Sequence, residues 1–139
     1  MTVLHRVRVF VFSQAAQDAS YLLLHSNQGA EGLWRPVHGT IQFSEQFESA
    51  VRREVMEDTG LVAGGAILDL NLPLRQLLGD EEIIHWNFGF PIASLPEDLQ
   101  LGERWNGHDF VPFDQAFKRL ELEGDRAGIT RLHAVLFAA

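Results

Sequence analysis

The chain has 139 residues, 46% of them hydrophobic, and 19 acidic against 11 basic side chains give it a net charge of −8. Length and apolar content suit one globular domain over residues 1–139, while the acidic balance excludes a broad nucleic-acid-binding surface, which needs a basic stripe. The absence of cysteine excludes disulfides, a thiol nucleophile and thiolate-ligated zinc.

No apolar run is long enough to span a bilayer, and the first one is split by Arg8 without a convincing cleavage site after it. A cytoplasmic protein with no membrane contact and no stable nucleic-acid complex is therefore expected.

In chain order, residues 3–13 are rich in Val and Phe and predict a buried strand; 14–20 reads as a turn and Tyr21 to His25 as a second strand. Asn27-Gln28-Gly29 predicts a loop, followed by an extended piece from Trp34 to Gly39. Ser44 is a suitable helix N-cap and Gly60 a suitable left-handed stop. Between them Phe47, Val51 and Val55 recur at the spacing of one buried helical face.

Beyond the helix, Leu68 to Leu72 alternates like a strand, and Gly79-Asp80 marks a turn. Ile84, Trp86, Phe88 and Phe90 share one face of a further strand, and Val111 suits a last short one. Phe113, Phe117 and Leu120 have helical spacing behind Asp114 as a cap, and a final helix from about Asp125 presents Ile129, Leu132 and Leu136. Strands interleaved with helices predict an α/β or α+β sandwich.

The chemistry concentrates on the first helix. At about 100° per residue, Glu54 and Asp58 fall within roughly 60° of Phe47 and Val51, with Glu57 on the flank. Three carboxylates are thus expected to point inward, which is unfavourable unless a cation sits among them. All-oxygen ligation suits magnesium or manganese better than zinc. A solvated acidic face, with Arg53 and Glu57 paired at i and i+4, is the plainer alternative.

Gly39, five spacers, Glu45, seven spacers, Arg53-Glu54, Val55, one spacer, Glu57-Asp58, one spacer, Gly60 and Leu61 together resemble the Nudix box. Only Asp58 departs, standing where that family usually has a second glutamate. The resemblance implies an α/β/α sandwich with a mixed sheet and a loop–helix–loop catalytic motif. It also implies metal-dependent (Mg2+ or Mn2+) cleavage of a nucleoside diphosphate linked to another moiety, with a small nucleotide-type substrate as partner.

By matched position, Glu54, Glu57 and Asp58 are then the implied metal ligands, with Gly39 offering its carbonyl. Glu54 is the first candidate to activate water. Arg53 would lock the motif by pairing with Glu45 and Glu57. Relatives often add an acid from a later loop, which points to Glu103; many are homodimers. Asp58 reaches about 1.5 Å less than a glutamate would, enough to change how it meets a metal.

Trp34 and Trp105, in loop-like contexts, are candidates to stack a base; Arg6, Arg8, Arg35 and His38 are candidates to touch phosphate or base. The segment Trp34-Arg35-Pro36-Val37-His38-Gly39 resembles the branch that cleaves nucleoside triphosphates or dihydroneopterin triphosphate to a monophosphate and pyrophosphate. Dinucleoside polyphosphates or nucleoside diphosphate sugars are alternatives, as is a catalytically silent nucleotide-binding module.

Overall fold

Along strand β1 (Thr2–Gln14), Val7, Val9 and Val11 face one way while Arg6, Arg8, Phe10 and Phe12 face the other, the period-2 consequence of the pleat. The computed structural model describes residues 2–26 and 32–138. The loop expected at Asn27-Gln28-Gly29 lies outside the described residues.

β1 is the spine of a mixed sheet. From Thr2 to Phe12 it runs parallel to β7 (Glu81–Pro91), with Val9 opposite Phe88. Its other edge is shared: β4 (Val37–Thr40) pairs antiparallel with Arg6 to Val9, and β2 (Ala19–Ser26) with Phe12 to Gln14. β3 (Trp34–Arg35) and β8 (Trp105–Val111) both pair antiparallel with β2. β5 (Leu68–Asp69) and β6 (Leu74–Leu78) pair antiparallel with β7.

Helix α1 (Phe47–Thr59) covers the valine face, packing Ala50, Val51 and Val55 against Val7, Val9 and Val11. Helices α2 (Phe113–Arg119) and α3 (Glu123–Leu136) cover the opposite face, where Ala116, Ile129 and Leu132 meet Phe10 and Phe12. The result is the expected α/β/α sandwich, each layer burying an apolar stripe that water would otherwise hold exposed. No helix among the described residues is long and apolar enough to cross a membrane.

Several local expectations are corrected. Ser44 is not the cap of α1: Gln46 holds that position without a side-chain bond, and Ser44 takes φ 63. Glu45 organises the entry instead, accepting from the Gln42 amide at 2.9 Å. The stretch 68–72 is strand only at Leu68–Asp69, because the Asp69 carboxylate accepts from the Asn71 amide at 2.9 Å and Asn71 turns left-handed at φ 51.

β6 went unforeseen since its side chains are mostly exposed and show no alternation; the turn at Gly79, φ 59, joins it to β7. The extended piece at 34–39 is two strands, interrupted at Pro36, which has no amide hydrogen for a ladder. Asp114 is not the cap of α2, where Pro112 stands, and α3 starts at Glu123 rather than Asp125.

Candidate active site

Helix α1 ends where Gly60 adopts φ 75 and its amide closes on the Met56 carbonyl, so the chain turns away directly after Asp58 and Thr59. Glu54 and Asp58, one turn apart, have side chains only 10% and 7% exposed. The inward expectation holds for these two and not for Glu57, whose side chain is 59% exposed. A 3.6-residue turn places positions 54 and 58 on one line and rotates 57 onto the flank.

Arg53 ties the surrounding backbone together. It meets both oxygens of Glu45, at 2.8 and 2.9 Å, Glu54 Oε1 at 2.9 Å and the Thr40 carbonyl at 3.0 Å. Glu57 Oε2 lies 3.5 Å away. One guanidinium therefore joins the loop before α1, the end of β4 and the helix itself, using its rigid fork of donors. These contacts hold the Glu45 carboxyl below its ordinary range. Burial acts in the opposite sense on Glu54 and raises its pKa, against the hydrogen bond from Arg53.

Gly39 is close beneath Glu54: a Cβ there would lie 2.0 Å from Glu54 Oε1. Its contribution in this structure is an empty side-chain position into which the carboxylate fits. The carbonyl of the preceding residue, His38, accepts from Arg104 Nη2 beside the carboxylates.

Arg104 is the residue that sequence reading missed. Its Nη2 lies 2.6 Å from Asp58 Oδ2 and 3.7 Å from Glu54 Oε2, and its Nε lies 3.3 Å from Asp58 Oδ1. Glu103, the candidate on this turn, is exposed, and beside it Arg104 reaches the carboxylate pair. No pattern in the chain announces a contact across 46 positions.

Among the described residues no three acidic or histidine side chains are gathered as a metal cluster. Glu57 turns outward and a guanidinium spans the other two acids. In chemistry the donors nevertheless fit a hard divalent ion. Glu54, Asp58 and the His38 carbonyl supply oxygen, they already converge on a cation, and Glu57 stands one helical step away.

On the α3 side of the sheet, the cationic candidates cluster. Arg6 donates to Thr40 Oγ1 at 2.6 Å and lies 3.1 Å from His38 Nδ1; Arg35 Nη1 lies 3.1 Å from His38 Nε2. Asp125, fully buried, receives Arg35 Nε at 2.7 Å and Nη2 at 3.1 Å. Arg8 Nε is 2.7 Å from Asp125 Oδ1, an ion pair not aligned as a hydrogen bond, and Arg8 Nη1 donates to Asn87. Arg8 is thus a buried cation, 5% exposed, rather than a solvated strand residue.

Burial and the four arginines 35, 104, 6 and 8 push the His38 pKa down to about 2, so its ring is neutral. A neutral imidazole has one acceptor nitrogen and can accept from only one of its two arginine neighbours.

Two cavities adjoin this cluster. One of about 230 Å3 is bordered by Ser26, Leu33, Arg35, His38, Arg104 and Trp105. Another of about 570 Å3 is bordered by Arg8, Arg35, Arg75, Gln76 and His85 among others. Arg35 faces both. A further cavity of about 600 Å3, around Phe12, Pro91 and Val135, has no ionisable side chain in its lining and lies apart from the carboxylates.

The tryptophan expectations fare differently. Trp105 is not in a loop; it opens β8, is 5% exposed and packs in the α1-side core. Trp34 lies in β3 with the Arg119 guanidinium 4.2 Å over its ring and His25 at 4.9 Å, so one face is already covered.

A mixed sheet between helical layers thus carries a glycine-bedded glutamate on an acidic helix that an arginine locks in place. The NUDIX domain family model matches residues 4–132, and the chain belongs to this family of hydrolases.

Among solved structures, a Listeria monocytogenes protein assigned as a NUDIX hydrolase superposes with a TM-score of 0.81, at 17% identity over 95% of this chain and 93% of that one. The Escherichia coli dihydroneopterin triphosphate pyrophosphohydrolase gives 0.78, at 14% identity over 91% and 92%. A Caenorhabditis elegans Ap4A hydrolase gives 0.73, at 16% identity over 96% and 97%. At these identities the likeness is one of fold. An octanoyltransferase of Myxococcus xanthus is 26% identical over 132 residues, which are 92% of this chain and 36% of that protein. The chain thus spans about a third of that relative's length.

Proposed function

We propose that this domain hydrolyses a nucleoside triphosphate or dihydroneopterin triphosphate to the monophosphate and pyrophosphate, with magnesium or manganese held by Glu54, Glu57 and Asp58. The observation that carries the reading is the juxtaposition across His38-Gly39. Buried carboxylates lie on one side, and an arginine-rich pair of cavities lies on the other, in a chain whose overall charge is −8. Arginines concentrated against that background fit an anionic substrate, because a fork of N–H donors matches phosphate oxygens.

When bound, the divalent ion would screen the diphosphate charge and lower the pKa of a coordinated water. The protein's own part follows from the geometry. Arg53 holds Glu54 Oε1, leaving Oε2 turned to the site, and burial raises the affinity of this carboxylate for a proton. Glu54 is therefore the proposed base. Water oxygen bonds to phosphorus, its proton passes to Glu54, and the P–O anhydride bond breaks with pyrophosphate leaving. Arg6, Arg35 and His38 line the approach and orient phosphate; Arg8, held by Asp125, backs Arg35. Glu103, exposed on the adjacent turn, is proposed as a further acid brought to the substrate.

The second cavity supports a longer substrate, a dinucleoside polyphosphate or nucleoside diphosphate sugar, since Arg35 connects it to the first. The deciding experiment is a substrate panel with magnesium and with manganese, products resolved by chromatography. Pyrophosphate plus a monophosphate identifies triphosphate cleavage. Two nucleotides identify the longer substrate. Nucleotide binding without turnover would show a silent binding module and overturn the reading.

A further inference from the structure

The occupancy of the box acids by Arg104 leads to a property of the same site, and it rests on the metal-dependent reading above. Three oxygens from α1 and β4 converge on one nitrogen: Asp58 Oδ2 at 2.6 Å, Glu54 Oε2 at 3.7 Å and the His38 carbonyl, all around Arg104 Nη2. An –NH2 end has two hydrogens. Asp58 and His38 take both, and Glu54 Oε2 is attracted without a hydrogen bond. Nη2 thus sits where an all-oxygen cation site would place its ion, and one position cannot hold both.

We propose that Arg104 is a resident counter-cation that competes with the divalent ion for Asp58, Glu54 and the His38 carbonyl, so that metal loads only as Arg104 leaves. Without any cation, two buried carboxylates one helical turn apart would be strongly unfavourable. Arg104 offsets part of that cost in the metal-free protein, chiefly at Asp58. The guanidinium also has somewhere to go. It lies 4.9 Å over the Trp105 ring and borders the cavity of about 230 Å3 shared with Arg35 and His38. Displaced there, it faces the proposed phosphate position.

Competition has a measurable form, because a ligand's apparent affinity falls by the fraction of molecules able to receive it. If Arg104 occupies the acids in about nine molecules of ten, the metal's apparent dissociation constant is raised about tenfold. The test is Mn2+ binding without substrate, followed by the loss of the free-ion paramagnetic resonance signal, on wild type, Arg104→Met, Arg104→Lys and Arg6→Gln.

Arg104→Met should bind Mn2+ about tenfold more tightly than wild type, and melt lower than wild type in chelator but not in saturating Mn2+. Arg104→Lys, which keeps a cation, should lie between the two and serves if Arg104→Met does not fold. Arg6→Gln removes a charge from the same neighbourhood, but Arg6 contacts Thr40 and His38 rather than a carboxylate. It should change the affinity by less than about threefold, marking the part that long-range repulsion alone supplies.

Equal or weaker Mn2+ binding by Arg104→Met, or equal gains in Arg104→Met and Arg6→Gln, would overturn the competition while leaving metal-dependent hydrolysis standing. Failure of every variant and of wild type to bind Mn2+ would overturn both.

Discussion

Gly39 of β4 and Glu54 of α1 are packed so that a Cβ on the glycine would lie 2.0 Å from Glu54 Oε1 and 2.1 Å from its Cδ. The missing side chain of one residue is the resting place of the other's carboxylate. Because the obstructed group is the far end of a flexible chain, it can be pushed aside without unfolding the helix.

Gly39→Ala should therefore act on chemistry more than on stability. Misplacing a reacting group by about 1 Å commonly costs about a hundredfold in rate, and a loss of that order is expected in kcat. The thermal midpoint should stay within a few degrees of wild type. A variant that melts far lower while the folded fraction keeps full turnover would refute the cradle.

Glu54→Gln and Glu57→Gln should each lower the rate by at least about two orders of magnitude, as removal of charge-stabilising groups commonly does. Their stabilities should differ. Burial raises the Glu54 pKa in the folded chain, so the folded state favours the protonated form. That contribution is complete below the unfolded-state pKa and is lost as pH rises through the folded-state value. At pH 8 in chelator the ionised carboxylate is thus a burden, and Glu54→Gln should melt no lower than wild type. Calorimetry at pH 8 checks the sign, and a clear drop in the midpoint would contradict it.

His38 gives the opposite dependence. Its pKa falls from an ordinary 6.5 to about 2 on folding, first through burial and then through the surrounding arginines. Between those values the unfolded chain takes a proton that the folded chain refuses, so the protein loses stability as pH falls below 6.5. His38→Gln keeps a hydrogen-bonding side chain without that proton. It should flatten the decline in urea midpoint between about pH 6.5 and 4; an unchanged slope would place the acid sensitivity elsewhere.

Glu103 and Trp105 stand two residues apart and should behave quite differently. Trp105 is core, so Trp105→Ala should cost about 3–5 kcal/mol in urea unfolding instead of chiefly raising KM. Glu103 is exposed on its turn. If it acts as the proposed further acid, Glu103→Gln should lower kcat about tenfold or more with KM little changed, the signature of an interaction made in the transition state. Unaltered kcat would leave the proton transfer to Glu54 alone.

The local sequence determined the elements that carry their own periodicity. The 3.6-residue recurrence of Val51 and Val55 set the buried face of α1, and with it the inward side of Glu54 and Asp58. Alternation along β1 and β7 set which side chains share a core, and the spacing from Gly39 to Leu61 pointed to the family. Short-range hydrogen bonding then overrode pattern at particular points, as where Asp69 captured the Asn71 amide and ended a strand that alternation extended.

What only the tertiary structure decided involves partners distant in the chain. Asp125 is a surface-like residue by sequence, yet it is fully buried between Arg8 and Arg35. Trp105 looks like loop until pairing with β2 carries it into the core. Arg104 reaches Asp58 across 46 positions. Periodicity reports which face of an element is apolar, but charge pairing depends on which elements the sheet order brings together. The pairing of Arg104 with Asp58 is therefore a product of the fold.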